Sequence, residues 1–107
     1  MSERKPNVFV VRDTQTMNTY PAKRFGRLVT CVDGHVDAQD YDVAAHEVRQ
    51  ALTQATSGDY LLPIGSPALI ALAAAEMSRR VETMRILQWD RITRQYAVIE
   101  IGSQKGR

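Results

Sequence analysis

Tyr60-Leu61-Leu62-Pro63-Ile64-Gly65-Ser66-Pro67-Ala68-Leu69-Ile70-Ala71-Leu72-Ala73-Ala74-Ala75 decides the fold of this chain. Tyr60 to Ile64 has no polar alternation, as a strand covered on both faces requires. Pro63 lacks a ladder donor, so the strand ends near it or faces a gap there. Gly65 turns the chain, Ser66 is a preferred N-cap, and Pro67 suits a first helical position, where its missing N–H would have no helical partner. The helix that follows, Pro67 to about Val81, is apolar nearly all round at its start. It becomes polar at Glu76, Ser78, Arg79 and Arg80, which predicts a buried beginning and a solvated end.

Upstream, Tyr41, Ala44, Ala45, Val48, Ala51, Leu52 and Ala55 recur at three- and four-residue steps, which predicts an amphipathic helix capped by Asp37 or Asp40. His46, Glu47, Arg49 and Gln50 fall on its wet side, and Gly58 in Ser57-Gly58-Asp59 supplies its stop. Arg27 to Val32 and Asn7 to Arg12 are β-rich runs, ended by Asp33-Gly34 and by Asp13. Thr14 to Gly26 between them contains Pro21, has no period and reads as a long connection. Downstream, Met84 to Asp90 and Gln95 to Ile101 form a closing hairpin around Arg91-Ile92-Thr93-Arg94.

The resulting order β, β, α, β, α, β, β predicts an α/β fold: a mixed five-stranded sheet with two crossover helices in a Rossmann-like order, the second to fourth strands being parallel. A length of 107 residues suits one domain, with an ordered core at about 7–102 and flexible basic ends at 1–6 and 103–107. Two helices cannot cover both faces of five strands. Leu87, Trp89, Tyr96 and Val98 are the candidates for uncovered apolar surface, and a homodimer is the expected means of burying it.

Cys31 is the single cysteine, which excludes an intramolecular disulfide and fits a reducing cytosol. No Cys/His spacing suits zinc, and no cofactor motif is present. The longest apolar run, Ala68 to Ala75, is too short to span a bilayer, and Met1 to Pro6 lacks a following signal core, so no membrane role is expected. Charge is unevenly spread: residues 1–27 carry +4, residues 28–76 carry −6 and residues 77–107 carry +4. Such segregation marks candidate surfaces for anionic partners.

In open α/β sheets ligands gather beyond the carboxyl ends of the parallel strands, at helix N-termini whose free N–H groups favour anions. Gly65, Ser66 and Ala68 on the second helix, with Gly34 and His35 after the second strand, are therefore the candidate site for a small anionic ligand. Against this stand Pro67, which removes one donor, and a capping Ser66, which occupies another. The turn also lacks the glycines and lysine of a phosphate loop. A serine nucleophile would need His35 and Asp33 or Asp37 beside Ser66, which requires the second strand to neighbour the third; the turn is not a Gly-x-Ser-x-Gly elbow. Neither His46 on a wet helix face nor Cys31 in an apolar strand carries a catalytic signal. For nucleic acid, the candidate residues are Arg79, Arg80, Arg85, Arg91 and Arg94, with Trp89 and Tyr96 to stack on bases.

Arg24-Phe25-Gly26, followed by Gly58-Asp59-Tyr60-Leu61-Leu62-Pro63-Ile64-Gly65-Ser66-Pro67 and the Ala-rich helix, resembles small proteins encoded by tailed bacteriophages. The resemblance implies expression in the cytoplasm of an infected bacterium and carries over no active site. The expected function is that of a non-enzymatic accessory protein that binds a host or viral partner, either a protein or a small anionic metabolite. The alternatives are a nucleic-acid-binding module and a small hydrolase or nucleotide-processing enzyme at the Gly65-Ser66 turn.

Overall fold

A computed structural model describes residues 5–15, 17–37 and 39–102. Of the flexible ends expected at 1–6 and 103–107, residues 1–4 and 103–107 lie outside the described residues. Five strands, β1 (Asn7–Val10), β2 (Arg27–Thr30), β3 (Tyr60–Leu62), β4 (Thr83–Asp90) and β5 (Gln95–Gly102), form one sheet, accompanied by helices α1 (Tyr41–Ala51) and α2 (Pro67–Arg80). Short 3-10 helices occupy Tyr20–Arg24 and Leu52–Gln54. The α/β class, the mixed five-stranded sheet and the two helices are as the sequence predicts.

The strand order is β2-β1-β3-β4-β5. The second to fourth strands run parallel as expected, β1 joins them in the middle of the parallel set, and β5 turns back antiparallel to β4. This is not the 3-2-1-4-5-6 order of the dinucleotide-binding Rossmann sheet. From β1 the chain steps one way to β2; from β2 to β3 and β4 it steps the other way. Right-handed crossovers therefore place the Tyr20–Arg24 connection on the opposite face from α1 and α2.

The packing follows that rule. Phe9, Val11, Cys31, Leu61 and Met84 face Ala44, Val48 and Leu52 of the α1 arm and Leu69, Ala73 and Met77 of α2. On the other face Val8, Val10, Leu62, Leu87 and Tyr96 are buried with Ala22, flanked by Phe25, Leu28, Tyr60 and Trp89. Leu87 and Tyr96 are thus buried rather than uncovered as expected, because the Tyr20–Arg24 connection lies over them.

Local chemistry sets the boundaries. The Asp40 carboxylate accepts from the Val43 N–H at 3.3 Å, and the Ser66 hydroxyl accepts from the Leu69 N–H at 3.3 Å, so each helix starts at its own side-chain cap. Pro63 follows the last residue of β3, where no ladder bond is lost. Buried Asp59 accepts from the Asn7 N–H at 2.8 Å and the Thr56 N–H at 2.9 Å, tying the start of β1 to the turn before β3.

Candidate functional site

At the carboxyl edge of the sheet the chain leaves β1 toward one face and β3 toward the other, which makes this the switch point of the topology. The Arg12 N–H donates to Ile64 O at 2.8 Å, so the segments after β1 and β3 stay together. Gly65 has φ +141°, and a Cβ there would stand 3.5 Å from the Arg12 Cβ. The Arg12 guanidinium donates to the Gly34 and Val36 carbonyls.

Arg12 therefore links the Gly65-Ser66 turn to the Gly34-His35 turn along one edge. The two do not form a triad. β1 lies between β2 and β3, which separates their ends by two strand spacings, about 10 Å, so the neighbouring of the second and third strands that a Ser66–His35 pair requires is corrected. The Ser66 hydroxyl is engaged with Leu69, and the His35 N–H donates to Asp33 Oδ1 at 2.8 Å in a local turn. Ala68 is exposed in the first turn of α2. An open depression of about 470 Å³ at this edge is lined by Asp13, Asp33 and Glu47, together with Cys31 and Gly34, an electrostatic setting that opposes an anion. Burial pushes the Cys31 thiol up to about 12, so it stays protonated and unreactive at neutral pH.

The arginines predicted from sequence divide between the two faces. Arg79 and Arg80 lie on the helix face and hold the buried Glu76 carboxylate at 3.1 and 2.7 Å, with Arg49 of α1 at 3.9 Å. Glu76 is 4% exposed, which corrects its expected place on a solvated helix end. The Arg80 hydrogen bond, helped by the charges of Arg79, Arg80 and Arg49, holds its carboxyl below the usual range against the opposing effect of burial. Arg85 lies on the other face, with Nε 3.2 Å from Glu100 Oε2 and its guanidinium 6.0 Å from the Tyr60 ring centroid. Trp89 packs edge-on against Tyr96 at 4.9 Å between centroids. Arg91 and Arg94 are exposed in the hairpin turn, Arg94 with φ +60°.

One feature was missed in the sequence and a second was read only through Val98. The first is a basic surface on the Tyr20–Arg24 connection: Tyr20, Lys23 and Arg24 join Arg94 and Tyr96 around one open depression, and Lys23, Arg24 and Arg27 line a second beside it. The available signal was the excess of Lys and Arg over residues 1–27, hidden by a connection without a period. The second is the outer edge of β5. On the helix face α2 stops short of this strand, leaving Ile99 43% and Ile101 49% exposed; on the opposite face Val98 is 40% exposed, uncovered as the sequence predicts, and among the described residues the eight-residue strand has no neighbour on its outer side.

Among the described residues no group of three or more His, Cys, Asp or Glu is placed to hold a metal ion, and no helix is long and apolar enough to cross a membrane. Neither a search of curated proteins nor a search of solved structures returned a match. A family model does match, over residues 6–103, which takes in both helices and every strand. The chain belongs to the family described as Phage Pam3 gp32-like protein.

Proposed function

We propose that the chain is a non-enzymatic accessory protein of the phage, acting in the cytoplasm of the infected bacterium by binding, and that it does so as a homodimer paired through β5. The observation that carries this reading is the uncovered β5 edge. A free edge is a row of unpaired N–H and C=O groups and a template for another strand; this one also exposes three branched apolar side chains.

The edge is self-complementary. In an antiparallel pairing about a two-fold axis through Ile99, Ile99 meets its own copy and Ala97 meets Ile101 of the second copy, giving a continuous apolar strip. On the other face Glu100 stands opposite Val98, so no like charges meet. The dimer would carry a continuous ten-stranded sheet, leaving the remaining surface of each copy for a host or viral partner.

Light scattering coupled to gel filtration at several concentrations tests the reading. The wild type should run as a dimer, and Ile99→Lys as a monomer that keeps the wild-type circular dichroism spectrum but melts lower, having lost the stabilisation of association, since a charged side chain at an exposed edge position blocks pairing without disturbing the core. A wild type that stays monomeric at every concentration would remove the proposal.

A further inference from the structure

The sheet face opposite the helices carries a surface chemistry of its own, distinct from the β5 edge. Two open depressions, each of about 430 Å³, share Lys23 and Arg24 as a common wall. Tyr20, Arg94 and Tyr96 complete the first; Phe25 and Arg27 help to line the second; no Asp or Glu lines either. Lys23, Arg24, Arg27 and Arg94 have no carboxylate partner among the described residues, and Arg24 donates to the neutral Gln95 amide oxygen at 2.8 Å. The helix face is different, since Arg49, Arg79 and Arg80 surround Glu76.

Aromatic rings stand among these uncompensated cations. Tyr20 is 71% exposed, with the Lys23 ammonium 5.2 Å from its ring centroid, and the Arg24 guanidinium lies 5.0 Å from the centroid of Phe25. A duplex reader needs a helix or ribbon that enters a groove, whereas this face offers shallow depressions. Cations that track a phosphate chain, combined with an exposed ring on which a base can stack, are what an unpaired strand requires. The geometry points to a binding surface for single-stranded nucleic acid centred on Tyr20, Lys23 and Arg24, with Arg27 and Arg94 at its two ends.

Fluorescence anisotropy with labelled oligo-dT and oligo-U of about 20 nucleotides tests the assignment across a salt series. Three or four phosphate contacts predict that log K falls with log salt at a slope of about −2 to −3. Lys23→Gln with Arg24→Gln should weaken binding by about tenfold or more. Arg49→Gln with Arg79→Gln removes the same charge from the helix face and should change it by less than about twofold. Tyr20→Ala should cost about fivefold or more through lost stacking. Melting curves of each variant, Arg49→Gln with Arg79→Gln included because it strips two partners from Glu76, separate loss of fold from loss of binding. No binding at low salt, equal losses from the two double variants, or an undiminished Tyr20→Ala would each overturn the assignment. Polyglutamate competing as well as oligo-dT would replace it with an acidic protein partner.

Discussion

Gly26 has no room for a side chain: a Cβ there would stand 2.4 Å from the Pro6 carbonyl oxygen, to which the Arg27 N–H donates at 3.0 Å. The close approach lets β2 start in register with β1, where Arg27 pairs with Asn7. Gly26→Ala should push the two segments apart and cost about 1–3 kcal/mol, the usual range for overpacking against structure that cannot yield. A fall in urea midpoint at unchanged slope checks it, and wild-type stability in the variant would show that the Pro6 segment gives way. The contact spans twenty positions of sequence, so nothing local announced it. Ser66 and Pro67 were legible because a helix start is decided within four residues, as the bond from the Leu69 N–H to the Ser66 hydroxyl demonstrates.

At the scale of elements, α2 is joined to α1 through a charge cluster as well as an apolar face. Glu76 on α2 takes Arg79 and Arg80 from its own helix and Arg49 from α1. Periodicity put Glu76 where the helix turns polar; only the packing of α1 against it makes the position buried, so no single-helix pattern could reveal it. Its carboxyl titrates below the ordinary 4.5 in the folded state, chiefly through the Arg80 hydrogen bond. A depressed folded value means that the stabilisation is fully present above the ordinary value, which the unfolded chain keeps, and is lost as pH falls through the folded one. Wild type should therefore melt above Glu76→Gln by a constant margin at pH 5 to 7, and the margin should shrink toward pH 3. Parallel melting curves down to pH 3 would show that the cluster contributes nothing through ionisation. The hairpin of β4 and β5 was legible because its two runs flank a four-residue connector, while the central position of β1 was not, since only long-range pairing decides strand order.

For the whole molecule, the uneven charge along the chain becomes a difference between faces. The acidic middle segment lies around α1 and the carboxyl edge with Asp33, Asp40, Asp42 and Glu47, whereas Lys23, Arg24, Arg27 and Arg94 occupy the opposite face. An antiparallel β5 pairing has its two-fold axis perpendicular to the sheet, so both basic faces would lie on the same side of the ten-stranded sheet. A parallel pairing, with its axis along the strands, would set them on opposite sides. Each copy measures 39 × 34 × 33 Å, so the two surfaces would be separated by roughly one molecular width, a span for a long oligonucleotide but not for a short one. An oligonucleotide of about 10 nucleotides should occupy one surface, and one of about 40 should reach both, with a gain of about 10²-fold from the effective concentration of the second site. The ratio of the two affinities, measured within one protein, cancels the extra charge that Ile99→Lys introduces. That ratio should be large in the wild type and should collapse toward the statistical factor of added sites in the Ile99→Lys monomer. Equal ratios in a wild type that is dimeric by light scattering would reject the antiparallel geometry while leaving both the dimer and the single-strand surface standing.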